Sequence, residues 1–137
     1  MLSPNWTMIR LFLHVLAAAV WVGGQIALAG VVPALRRHGL DMAVKLAARG
    51  FARVAWPAFG VVVITGLWNL AEVDVTDTSS AYQKTLLLKI GLAMASGAAA
   101  AVHQIGRSKV ALAVGGAVGL LGALGAMFCG YLLTAGS

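Results

Sequence analysis

Polar positions are so sparse along this chain that they divide it into four apolar runs, at about 6–32, 53–70, 82–105 and 110–134. A helix crosses the hydrocarbon of a bilayer with about 20 mostly apolar residues, and each run is of that order. The pattern therefore predicts an all-α integral membrane protein, a four-helix bundle forming a single domain. Ahead of the second run the polar positions return with a helical period. Lys45, Arg49 and Arg53 recur every four residues and predict an amphipathic entry helix over about 41–52, facing solvent or headgroups. Asp41, just after Gly39, is placed to cap it. Pro57 predicts a kink beside Trp56. A cleaved signal peptide, with Arg10 as its basic start and Ala17–Ala19 as its cleavage site, is the competing reading of the first run. That run continues to Pro33, well past the roughly 7–15 apolar residues of such a peptide.

Composition agrees with this reading and charge orients it. The chain has 137 residues, 61% hydrophobic and 10% charged, with a net charge of +6. That excess is no nucleic-acid signature, because the basic residues cluster between apolar runs and no basic-aromatic surface accompanies them. The first connection and the entry to the second span hold Arg36, Arg37, Lys45, Arg49 and Arg53; the third holds Arg107 and Lys109. The second is acidic and polar, with Glu72, Asp74, Asp77, Ser79 and Ser80. The positive-inside rule then expects loops one and three in the cytoplasm and both termini outside, in the cytoplasmic (inner) membrane. Trp6, Trp68, Tyr82 and Tyr131 would form one aromatic belt at the outer interface.

Inside the spans, the few polar residues carry the candidate chemistry. Arg10, His14, Trp21 and Gln25 fall on one face of the first helix at roughly 100° per residue. Buried ionisable groups at membrane depth are costly and ordinarily face a bundle interior or a cavity. His14 lies about 12 Å below the outer interface, counted from Trp6 at ~1.5 Å per residue. Lys89, Ser96, His103 and Arg107 share a face of the third helix in the same way. Met94, Met127 and Cys129 fall at comparable outer depths. Imidazole, thioether and thiolate together favour Cu(I), so His14, Met94, Met127 and Cys129 form the candidate metal set. Arg10 and Lys89 bring positive charge to the same region, and no acidic residue within the spans offsets it. Such charge suits haem propionates or a quinone carbonyl, which makes His14, Lys89, Arg10 and His103 the set for a b-type haem alternative. One haem held by both His14 and His103 is disfavoured, since the two lie ~15 Å apart along the membrane normal. A second, inner set gathers His103, His38 and the loop arginines.

The last run is rich in glycine, with Gly115-xxx-Gly119 and Gly122-xxx-Ala126 spacings that let helix backbones approach closely. Tight packing inside the bundle is the plain reading, and a homodimer through this helix is the other. A lone cysteine excludes an intramolecular disulfide. No nucleophile–base triad, phosphate loop, zinc-type cysteine spacing or carboxylate pair is present, which excludes hydrolase and nucleotide chemistry of the common kinds. Whether the chain is an enzyme stays open, and a non-catalytic assembly subunit is a further alternative.

Three stretches together resemble the membrane domain of the CopD-type copper resistance family. They are LHVLAAAVWVGG from Leu13, FARVAWPAFGVVVITGLWNL from Phe51 and YQKTLLLKIGLAM from Tyr82. The resemblance implies copper handling at or across the cytoplasmic membrane, with a periplasmic copper-binding protein as a partner. By position it carries over His14, Trp21, Arg53, Asn69 and Lys89, with Gln25 completing the first-helix stripe. A weaker similarity, to the HemJ family of haem-biosynthetic membrane oxidases, rests on the first-helix histidine, tryptophan and glycine and the third-helix lysine with a later histidine. It implies a b-type haem or porphyrin guest.

Overall fold

A computed structural model describes residues 4–136. It is all-α: α1 (Trp6–Arg37), α2 (Asp41–Ala71), a 3-10 turn (Val75–Asp77), α3 (Ser80–Ile105) and α4 (Lys109–Ala135). All four helices are long and apolar enough to cross a membrane. They form two helical hairpins, one ending at Val73 and one starting at Asp74, each with its own internal packing.

Local chemistry sets most boundaries. Asn5, Ser79 and Ser108 accept backbone N–H bonds with their side chains and start α1, α3 and α4. Two expectations at the first turn are corrected. The first helix does not stop at Val32 but runs through Pro33 to Arg37. Proline this near a C-terminus forfeits one backbone bond, while Arg36 and Arg37 favour the negative end of the helix dipole. Asp41 is also not the cap of α2. That position is Leu40, with no side-chain bond, and Asp41 is the first helical residue. The turn has its own logic: Gly39, at φ +70°, takes the left-handed conformation that ends α1. Its N–H donates to Arg36 O and the Leu40 N–H donates to Leu35 O, the bond pair of a Schellman motif. The amphipathic entry is continuous with the second span, and α2 is one unbroken helix through Pro57.

The α1–α2 hairpin is cored by Trp21 against Trp56 (centroids 5.5 Å) and Phe59 (4.6 Å). Farther toward its turn the Phe51 ring lies over Gly24, so closely that a Cβ there would overlap it. The α3–α4 hairpin is held by a seam of small residues on α4. Gly115, Gly119, Gly122, Ala126, Cys129 and Leu133 are all buried, and their alternating four- and three-residue steps make one stripe. Against it lie Lys89, Leu92, Ser96, Ala99 and His103 of α3. Ser96 is completely buried and donates its hydroxyl to Gly119 O at 2.7 Å. The glycine face of the last helix is thus occupied within its own hairpin.

Candidate functional site

In the first hairpin, polar side chains of α1 meet polar side chains of α2 in register. Arg10, His14 and Trp21 share the face of α1 turned toward α2, as the wheel expected. On the second helix Thr65 meets His14, Trp68 meets Arg10, and Trp56 and Phe59 meet Trp21, while Glu72, the C-cap just past α2, reaches Arg10.

His14 is half-buried, and its Nδ1 lies 2.8 Å from Thr65 Oγ1. The Thr65 hydroxyl is 2.6 Å from Val61 O in the preceding turn, to which it donates. A hydroxyl has one proton, so with that proton given to the carbonyl Thr65 can only accept from His14. The neutral imidazole is therefore assigned as the Nδ1–H tautomer, with Nε2 as its basic nitrogen. The His14 ring lies alongside Gly66, where a Cβ would stand at ordinary contact distance, 3.5 Å from Cε1.

One turn nearer the chain start, Arg10 is embedded. Its side chain is 10% exposed, and Nη1 lies 3.4 Å from Oε1 of Glu72, which is 57% exposed. Glu72 also accepts from the Trp68 indole N–H at 3.2 Å, and the guanidinium lies 5.7 Å from the Trp68 ring. No acid within the spans offsets Arg10, as expected; the acid that does is Glu72, the C-cap residue just past α2, which reaches back to the first helix. Two buried polar atoms here have no partner, Arg10 Nε and Asn69 Oδ1. Gln25 donates to Trp21 O within its own helix at 3.1 Å, and Arg53 is exposed on α2.

The second hairpin holds the other candidates, and it does not bring them together. Cys129 is buried in the seam, whereas Met127 is exposed. Two positions on a helix are about 200° apart, so these sulfurs point to opposite sides of α4. Met94 is exposed and stands off the α3 stripe that meets α4. Lys89 lies against Gly130, where a Cβ would be 3.3 Å from Nζ, beside Cys129. His103 donates from Nδ1 to Leu112 O across the turn, and its ring packs on Gly116. Arg107 lies beyond the end of α3 rather than on its face, in the turn that Ser108 closes by capping α4. Among the described residues, no group of three or more His, Cys, Asp or Glu side chains is placed to hold a metal.

In the connection between the hairpins, Asp74 accepts from both the hydroxyl and the amide of Thr76. Those bonds favour the ionised form and hold its carboxyl below the ordinary value, the hydroxyl contributing most.

Sequence reasoning found His14 and Arg10 but missed Thr65 and Glu72. The signal that could have found them is the tight turn at Gly39. His14 stands 25 positions before it and Thr65 26 after, so an antiparallel hairpin must bring them together.

These features define a multi-pass membrane protein with ionisable side chains held between its spanning helices. The family model described as copper resistance protein D matches residues 45–124, more than half the chain, and the chain belongs to that family. The match contains the second and third stretches of the resemblance and leaves the first, with His14 and Trp21, outside it. No curated protein and no solved structure matches.

Proposed function

We propose that this chain handles copper at the cytoplasmic membrane, with His14 as the residue that contacts Cu(I) from the outer side. Family membership supports the copper. His14 lies outside the matched residues, so its role rests on geometry, and one observation carries it: the Nδ1–H bond to Thr65. Histidines that bind metals commonly donate their other N–H to a fixed acceptor, which sets the tautomer, aims the ring and raises ligand basicity. The fit is to one ligand: the hairpin's other imidazole, His38, caps the far end of α1, and among the described residues no group of three or more His, Cys, Asp or Glu side chains is placed to hold a metal. Cu(I) favours soft donors, so Met94, Met127 and Cys129 are the sulfurs to test by substitution. A periplasmic copper-binding protein is the partner that an outer site calls for.

A second reading, b-type haem, is favoured by His103, whose Nδ1–H is tied to Leu112 O so that Nε2 is its basic nitrogen. The same purified sample separates the two readings. Competition with a chromophoric Cu(I) chelator should show uptake by the intact chain and loss of uptake in His14→Ala. Thr65→Val should weaken it by about 10–100-fold, the effect of losing an orienting partner. Uptake that is absent, or unchanged in His14→Ala, refutes the copper site. A Soret band that disappears in His103→Ala establishes haem instead.

A further inference from the structure

The second helix is longer than a bilayer requires. Its 31 residues extend about 46 Å at 1.5 Å per residue, against a hydrocarbon thickness near 30 Å. The half from Val54 to Leu70 is apolar apart from Thr65 and Asn69 and fits the hydrocarbon. The surplus, Asp41 to Arg53, extends into the headgroup layer on the side of the Gly39 turn.

That surplus carries an unusual face. Lys45, Arg49 and Arg53 are exposed, and at ~100° per residue they fall within about 100° of Met42 and Leu46. Those two apolar side chains are 66% and 61% exposed. Cations and large apolar groups therefore interleave on a single exposed face. Asp41, the sole carboxylate of the helix, stands at its edge in the first turn. Among the described residues no acid forms an ion pair with the three cations, and Arg36 and Arg37 add two more exposed charges at the same end of the hairpin.

Water alone does not suit Met42 and Leu46, and hydrocarbon alone does not suit Lys45 and Arg49. A phospholipid phosphate suits the cations, whose apolar stems lie beside Met42 and Leu46 on the same face. We propose that this face binds anionic phospholipid, selected through a phosphodiester headgroup of net negative charge. The cations supply the selectivity. This holds whatever the chain does with copper.

The test uses the full chain, purified in a neutral detergent and given phosphatidylglycerol or phosphatidylcholine, with retained lipid read by native mass spectrometry. Retention should favour phosphatidylglycerol and weaken as salt is raised, since the attraction is screened. Each basic residue near an anionic surface contributes roughly a fivefold factor, so Lys45→Gln with Arg49→Gln should reduce the preference by more than about tenfold. The exchange Lys45→Arg with Arg49→Lys should preserve it, which guards against a merely misfolded double variant. Equal retention of both lipids, a salt-independent preference, or a preference unchanged in the glutamine double variant overturns the proposal. So does an acidic protein that copurifies on this face and is not displaced by phosphatidylglycerol.

Discussion

Adding one methyl group to the glycine seam should open the α3–α4 hairpin, and the structure says how far. A Cβ on Gly115 would stand 2.9 Å from Ala99 O and 3.0 Å from His103 N. Both are backbone atoms of α3, so no side chain can swing aside and the helix itself must move. On Gly122 the Cβ would meet Leu92 O at 3.0 Å and Ser96 N at 3.3 Å, a slightly milder conflict. Two effects oppose each other. Alanine gains up to about 1 kcal/mol of helix propensity over glycine. Overpacking costs about 1–3 kcal/mol, and moving α3 also strains the Ser96–Gly119 bond, worth roughly 0.6 kcal/mol in a membrane setting. The conflict wins at Gly115, with a net loss of about 1–2 kcal/mol, and Gly122→Ala should lose somewhat less. Gly91 is the control, because a Cβ there meets nothing within 4 Å. Cys129 is the only cysteine and is buried in the seam, so its labelling rate by a maleimide reports hairpin opening directly. At 1.36 kcal/mol per tenfold, Gly115→Ala should label about 5–30 times faster than the parent. Gly91→Ala should label at the parent rate or more slowly. Equal rates for Gly115→Ala and the parent would mean the seam is not in contact, and the reasoning fails.

The Arg10–Glu72 pair should respond asymmetrically. Glu72→Gln strands a nine-tenths buried guanidinium and should cost about 1–2 kcal/mol, discounted because the carboxylate itself is half exposed. Arg10→Met should fall within about 1 kcal/mol of the parent, since it leaves only a solvated carboxylate behind. All four tryptophans belong to this hairpin, so their fluorescence during unfolding in dodecyl sulfate measures both, and a costlier Arg10→Met reverses the assignment. Asp74 gives a pH signature: its carboxyl is lowered from 3.8, so its stabilisation of the connection is complete above that value and lost as pH falls through the lower folded one. The protection factor of the Thr76 amide, its exchange rate corrected for the intrinsic pH dependence, should stay constant at neutral pH and fall in acid. An acid step that persists in Asp74→Asn would assign it to another group.

Much of this fold is legible because hydropathy and helix length are coupled in a bilayer. Four apolar runs gave four helices with nearly the expected ends, and the wheel placed Arg10, His14 and Trp21 on the packed face of α1. Misreadings occur where hydropathy and helicity part company. At Pro33 and across Arg36 and Arg37 the sequence turns polar while the helix continues, because basic side chains favour the negative end of the helix dipole. The partners of His14 and Arg10 were hidden for a different reason. Thr65 is unremarkable in an apolar run and Glu72 reads as loop, and only the register of the hairpin gives either a role. Depth along the membrane normal puts Met127 near Cys129, but residues two apart cannot share a helix face, and Cys129 continues the four-three spacing of the glycines as a small residue would.

The register also changes the electrostatics of the copper reading. Placing a cation near Arg10 looked unfavourable because the spans themselves contain no acid. With Glu72 folded over Arg10 and Trp68 beneath both, the guanidinium is balanced inside its own hairpin, one helical turn from His14. Coulomb energy between a balanced pair and a nearby ion falls off faster than that of a bare charge, so Arg10 opposes a metal at His14 far less than its sequence position implied. A variant lacking only the Glu72 charge restores that opposition. Lowered Cu(I) uptake in Glu72→Gln, with His14 and Thr65 intact, is the result that this balance requires.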